Sequence, residues 1–194
     1  MKKTKFVIVC GFAGSGKTWL CKQLVKTLNY TYVNKDTICD GFTNYILKNE
    51  DANQLKNRDS EFYKTIVKPI EYEQTLAVCD ENLSLGNNVI LDSPLTSVIS
   101  NYKKFNEYIN LKKYNKQNIE VKVVWIKHNI NIEHERILKR NASRDEYKIK
   151  NWNTYVATIK TFFPSKKINA YIFNNESETA FKCEFEKLKN WITK

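Results

Sequence analysis

Eight consecutive residues, Gly11-Phe12-Ala13-Gly14-Ser15-Gly16-Lys17-Thr18, fit the pattern G-x-x-x-x-G-K-[ST] in full. A loop that wraps a phosphate must turn its backbone N–H groups inward, and glycine adopts that conformation without a steric penalty. Lys17 then brings a positive charge to the β and γ oxygens, and the Thr18 hydroxyl is placed for Mg²⁺. The start of the next helix adds its partial positive charge to the same anion. Only five glycines occur in the chain, and three of them lie inside this window, which argues against a chance match. Residues 11–18 are therefore expected to bind a nucleoside triphosphate.

The chain has 28 lysines and four arginines, and three of the arginines are Arg136, Arg140 and Arg144, spaced by four. Where lysine is used almost everywhere else, such clustering points to positions that need a planar, bidentate donor. Arg136 and Arg140 share one helix face, and Asn141-Ala142-Ser143 turns the chain before Arg144. A helical hairpin carrying these arginines over 132–160 has the properties of a lid that excludes water and stabilises charge on a transferring phosphoryl group. Arg136 is assigned to the nucleotide, Arg140 and Arg144 to catalysis. The competing reading is a solvated basic helix paired with Glu133 and Glu135.

Two carboxylates, Asp36 and Asp92, follow short apolar segments and so fall at the strand ends where ligands bind in parallel sheets. Asp36 is the first acid in the chain and a candidate general base; the alternative is an ordinary helix N-cap. Asp92 closes an apolar run and is a candidate, with Thr18, for the Mg²⁺ shell, or for the acceptor hydroxyl as the alternative base, or else a loop aspartate bonding the turn at Ser93-Pro94. Asp40 is a further candidate for acceptor contact, and Ser93 reads as a helix cap.

These side chains need a scaffold, and the hydrophobic pattern supplies one. Residues 6–10 form a continuous apolar run, the mark of a parallel strand buried on both faces, and helical spacing follows through Trp19, Leu20, Leu24, Val25 and Leu28. Further strands are expected at 30–33, 89–92, 119–127 and 168–173. Helices are expected at 36–48, at 61–85 with a kink at Pro69 and a Gly86 stop, at 94–111 with Pro94 in the first turn, and at 132–140. One more opens with the Ser143/Glu146 capping box, and a last one spans 178–192. The order predicts an α/β, three-layer sandwich: a five-stranded, mostly parallel sheet with helices on both faces, in a single domain over 1–194.

GFAGSGKT after the first strand, Asp36 after the second, LDSP after the third and the arginine hairpin before the last resemble the small P-loop kinases with an AAA-type ATP-binding core, in the branch of polynucleotide kinase and zeta-toxin-like enzymes. The resemblance spans almost the whole chain. In polynucleotide kinases a D-x-x-R element supplies the base and an arginine that holds the acceptor. Here it reads Asp36-Thr37-Ile38-Cys39, so the arginine is missing. The segment from Arg144 to Tyr155 also resembles this group but carries no assigned role.

The net charge of +11 suggests nucleic acid, yet it is made almost wholly of lysine in a chain that also has 23 asparagines, a compositional bias that loads solvated faces. Nucleic acid is thus the less favoured partner. Five scattered cysteines without a C-x-x-C pair argue against disulfides and zinc and for a reducing cytoplasm; His128 and His134 match no metal spacing. No apolar run is long enough for a membrane span, and residues 1–11 read as a strand leading into the glycine motif, not as a signal peptide. The resulting expectation is an ATP- and Mg²⁺-dependent phosphotransferase that moves the γ-phosphoryl group to a hydroxyl of a small molecule, nucleoside or nucleotide. A 5′-hydroxyl polynucleotide kinase and an ATP-hydrolysing switch are the alternatives.

Overall fold

A computed structural model describes residues 3–50, 58–112, 114–127, 129–142, 145–160 and 162–194. The apolar run near the N-terminus is strand β1 (Thr4–Cys10), and every side chain from Lys5 to Cys10 is buried. It pairs in parallel on both sides, with β3 (Val89–Asp92) and β4 (Ile119–Ile126); β2 (Thr31–Asn34) and β5 (Ala170–Phe173) flank these, in the order β2-β3-β1-β4-β5. Every pairing is parallel, so the sheet is all-parallel and the expected α/β layering is observed.

The pleat of β1 sorts its side chains between two cores. Val7 and Val9 pack with Leu20, Cys21 and Leu24 of α1 (Lys17–Leu28) and with Phe181, Leu188 and Ile192 of α9 (Glu178–Thr193). Phe6, Ile8 and Cys10 face the other layer, against Leu76, Cys79 and Leu83 of α3 (Lys68–Ser84), Ile99 of α4 (Thr96–Ile99) and Ile159 of α8 (Trp152–Ile159). Each such buried side chain contributes roughly 1.5–3 kcal/mol. Helix α2 (Lys35–Glu50) packs on α3, and its Leu47 joins Tyr63 and Val67 in a small third cluster. Two further helices, α6 (Ile130–Arg140) and α7 (Glu146–Lys150), complete the hairpin with α8.

Several boundaries differ from the sequence reading, each for a local reason. The helix expected over 61–85 is one unbroken helical run from Glu61 to Ser84, and the irregularity expected at Pro69 is a π-helical turn, Tyr63–Val67, which precedes it and places Pro69 in the first turn of α3. Pro69 lacks an N–H and its ring crowds the carbonyl four residues back, and the wider turn relieves both. The helix expected over 94–111 is two helices. Leu95 takes a left-handed conformation (φ 38°) ahead of α4, and the Asn101 side chain caps a new helix, α5 (Tyr102–Leu111), by accepting from Lys104 N. Ser93 is no cap, since its hydroxyl is buried without a hydrogen-bond partner. Strand β5 begins two residues late, and α6 two early because Asn129 accepts from the N–H groups of Asn131 and Ile132. The Ser143 half of the expected capping box lies outside the described residues.

Four cysteines are buried and Cys183 is exposed, all as free thiols. Among the described residues no helix is long and apolar enough to cross a membrane.

Candidate active site

The loop between β1 and α1 is shaped by close approaches as well as by backbone dihedrals. Gly14 (φ +79°) lies so near α6 that a Cβ would stand 2.6 Å from the Glu133 carbonyl oxygen, and a Cβ on Gly16 (φ +94°) would stand 2.2 Å from Asn175 Nδ2. Gly14 therefore demands glycine twice over, by its dihedral and by the backbone beside it, while at Gly16 the positive φ demands glycine and a Cβ would displace the Asn175 amide. Asn175 Nδ2 donates to Ser15 O at 2.8 Å, while Arg136 donates to Gly14 O at 3.3 Å, Ser15 O at 3.4 Å and Asn175 O at 3.1 Å. Phe12 anchors the loop from below, edge-on to Trp125 and Phe162. Lys17 Nζ donates to Phe12 O at 2.8 Å. Burial pulls the Lys17 ammonium below its ordinary pKa, against the opposing charges of Asp92 and Asp36, so a phosphate anion arriving there would meet a cation in need of a partner.

The arginines divide their tasks. Arg136 spends its guanidinium on three carbonyls and braces the loop, although it also lines the cleft. Arg140 places Nε and Nη2 at 2.9 and 2.6 Å from one oxygen of the buried Asp145 and also lines the cleft. Among the described residues neither pairs with Glu133 or Glu135, so the solvated-helix alternative is not what the structure shows. Arg144 lies outside the described residues. Glu133 is 1% exposed, and neither carboxylate oxygen has a hydrogen-bond partner. Burial raises its pKa to about 7, more than Lys17 and Arg136 hold it down.

The parallel register sets Asn34 opposite Asp92 and Asp92 opposite Val9, so the carboxylates meet the loop at one edge of the sheet. Asp92 Oδ2 accepts from Tyr32 Oη at 2.9 Å and from Asn34 Nδ2 at 2.7 Å, rather than bonding the Ser93-Pro94 turn. Asn34 Oδ1 in turn accepts from Thr37 N at 2.8 Å, so a residue other than Asp36 caps the start of α2. Asp36 sits 3.2 Å from Lys35 Nζ and 3.9 Å from Arg58. Asp40 pairs with Arg58 at 2.8 Å.

Behind Asp36 lies a buried polar cluster that the sequence reading missed. Glu71, fully buried, accepts from Lys35 Nζ, Thr43 Oγ1 and Tyr63 Oη, each at 2.7 Å. Burial alone would raise its carboxyl, but Lys35 and these hydrogen bonds hold it below the usual range. Cys39, at the place where a D-x-x-R arginine would stand, is buried against Glu71 O and Thr75 Oγ1 at 3.5 Å, away from the cleft. An arginine nevertheless reaches Asp36: it is Arg58, from 22 positions further along the chain. Its signal was the rarity that marked the other three, for it is the fourth arginine of a lysine-rich chain.

A single cleft of about 830 Å³ is lined by residues 11–14, by Gly16, Lys17 and Thr18, and by Asp92, then continues past Asp36 and Arg58 to Tyr72, with Arg136 and Arg140 along its other wall. Ser15 is buried beneath it. The arrangement joins an anion cradle to a second compartment that holds a carboxylate.

The family model described as AAA domain matches residues 6–161. A sugar kinase from a Janibacter species superposes with a TM-score of 0.64 at 11% identity, over 97% of this chain and 94% of that one. A gluconokinase from Sinorhizobium meliloti gives 0.57 at 12%, over 98% and 96%, and a shikimate kinase from Aquifex aeolicus 0.55 at 16%, over 97% and 99%. At these identities the likeness is one of fold. All three are small-molecule kinases, and they do not single out the polynucleotide kinase branch. No curated protein matches the chain by sequence.

Proposed function

The chain belongs to the AAA domain family of P-loop proteins, for which nucleotide binding follows from the loop, and from that premise we propose that it is an ATP- and Mg²⁺-dependent phosphotransferase acting on a hydroxyl of a small molecule. One observation carries the reading: the cleft that lines Lys17 and Thr18 runs without interruption to Asp36 and Arg58. A protein that only hydrolyses ATP needs no second compartment beside the γ-phosphate.

In this reading residues 11–18 cradle the triphosphate, and Lys17 exchanges the Phe12 carbonyl for phosphate oxygens. The donors fit a magnesium ion, since Thr18 offers a hydroxyl and Asp92, whose Oδ2 takes both hydrogen bonds, keeps Oδ1 for a cation; phosphate oxygens complete an all-oxygen set. The ion would neutralise charge on the β and γ oxygens. Asp36 accepts the proton of the acceptor hydroxyl as its oxygen bonds to the γ-phosphorus and the bond to the bridging oxygen breaks, releasing ADP. Arg140, with one edge fixed by Asp145, and Arg144 stabilise the equatorial oxygens.

The polynucleotide reading keeps one supporting observation, a polar groove of about 640 Å³ shared by Thr18, Asp36, Arg58 and Asn44. Incubation with γ-labelled ATP, Mg²⁺ and a set of hydroxyl compounds tests the proposal. Label should move to an acceptor, and Asp36→Asn should lower transfer roughly 10²–10⁴-fold while ATP still raises the melting temperature. Label released only as inorganic phosphate, at a rate that Asp36→Asn leaves unchanged, would instead establish the switch.

A further inference from the structure

The wall of the cleft facing Asp36 has an unbalanced charge. Its acids already have basic partners: Asp36 has Lys35 and Arg58, and Asp59 has Lys148 of α7 at 3.6 Å. Glu71 beneath them is saturated by Lys35, Thr43 and Tyr63. Two cations that line the same compartment, Lys64 and Lys68, have no carboxylate within ion-pair distance among the described residues. Lys64 is exposed, but Lys68 is half-buried, and its ammonium lies over the ring of Tyr72, 5.8 Å from the ring centre.

A half-buried ammonium without an anion is costly, and an arriving anion would offset that cost. Burial, then Lys35 and Lys64, depress its pKa, and the carboxylates that oppose this are Glu71 and Asp59 of the same wall. The π-helical turn contributes to the placement: the Lys68 N–H bonds to the Tyr63 carbonyl, five residues back, so Tyr63 and Lys68 both reach the cleft.

Resting on the phosphotransferase reading above, we infer that the acceptor is a small hydroxylated oxyanion, a carboxylate or a phosphate monoester, whose charge is bound by Lys68 with Lys64 while its hydroxyl faces Asp36. The Lys148–Asp59 pair ties the hairpin to the segment before α3, and both residues line the cleft, whose volume of about 830 Å³ suits a small ligand beside the triphosphate.

Two measurements test this. In the first, hydroxycarboxylates, sugar phosphates and neutral sugars of matched size are offered with γ-labelled ATP and Mg²⁺. Transfer should be confined to the anions, the two anionic arms telling carboxylate from phosphate, and Lys68→Met should raise KM for the preferred anion by roughly tenfold or more with a smaller effect on kcat. Transfer to neutral sugars or to 5′-hydroxyl oligonucleotides that Lys68→Met leaves unchanged would overturn the inference. In the second, sulfate is titrated at constant ionic strength into the complex with Mg²⁺ and a non-hydrolysable ATP analogue. A saturable rise in melting temperature should appear in the unmodified protein and require about tenfold more sulfate in Lys68→Met. Equal rises in the two would also overturn it. If no compound takes label yet Lys68→Met abolishes the sulfate response, the anion site stands and the phosphotransferase reading falls. Methionine keeps the stem over Tyr72 and removes the uncompensated charge, so the variant alone should melt no lower than the unmodified protein.

Discussion

Replacing Glu133 with glutamine should change how stability depends on pH, in a direction and amount that follow from the site. Glu133 is 1% exposed, its oxygens lack hydrogen-bond partners, and its pKa rises from 4.5 to about 7 on folding, with Lys17, Arg136 and the phenol of Tyr155 as the facing groups. The raised value means that the folded protein holds the proton more tightly than the unfolded chain, so the native state is favoured below pH 4.5 and loses stability as pH rises toward 7. At about 1.4 kcal/mol per pH unit the whole penalty is roughly 3 kcal/mol, reached above pH 7. For a chain of this length that is a change of about 6–12 °C in melting temperature. Glutamine carries no proton to release, so melting curves of Glu133→Gln and the unmodified protein, recorded from pH 5 to 8, should diverge by most of that amount in favour of the variant. A constant offset measures only the cost of burying an amide. Parallel pH profiles would refute the reasoning, because they would mean that Glu133 is solvated or paired in solution.

Lys17→Ala should abolish the rise in melting temperature that Mg²⁺-ATP produces, as seen in a ligand-dependent thermal shift. Gly14→Ala should cost about 1–3 kcal/mol and impair nucleotide binding, since it combines a positive φ with a Cβ 2.6 Å from the Glu133 carbonyl; a thermal melt with and without ATP separates the two effects. Arg140→Lys should slow transfer while keeping the formal charge, because lysine cannot hold Asp145 and a phosphate oxygen with one rigid fork; the check is kcat at saturating ATP. Binding of single-stranded DNA should be weak and fall steeply with salt, as contacts made only to phosphates do; a fluorescence titration at two salt concentrations checks it.

What could be read from the chain depended on how local the determinants were. The phosphate loop was legible because strand, turn and helix are contiguous and the chemistry uses residues in fixed order. The five strands were legible as short apolar runs, though not their order in the sheet, and Asp36 and Asp92 were legible from their places after such runs. Arg58 was not legible, since it reaches Asp36 from a separate segment and no spacing announces it. Nor was Glu71, which in sequence is one more acid on a charged helix and only in three dimensions gathers Lys35, Thr43 and Tyr63. A helix cap stood as the alternative for Asp36 because aspartate and asparagine serve that role about equally, and two residues decided it: Asn34 stands at the right backbone position and Asp36 does not.

That near-equality gives the choice of asparagine at position 34 a meaning. Its amide has two unlike ends, the oxygen given to the Thr37 N–H and the nitrogen to Asp92 Oδ2, 2.7 Å away. An aspartate would cap α2 as well, yet it would set a second carboxylate oxygen against the first where the amide now donates a hydrogen bond. Asparagine at this position therefore gives Asp92 a donor in place of a like charge, and it makes the amide a one-way joint. Turned over, it would break the helix start and the strand-end contact together, so the start of α2 and the end of β3 hold a common alignment.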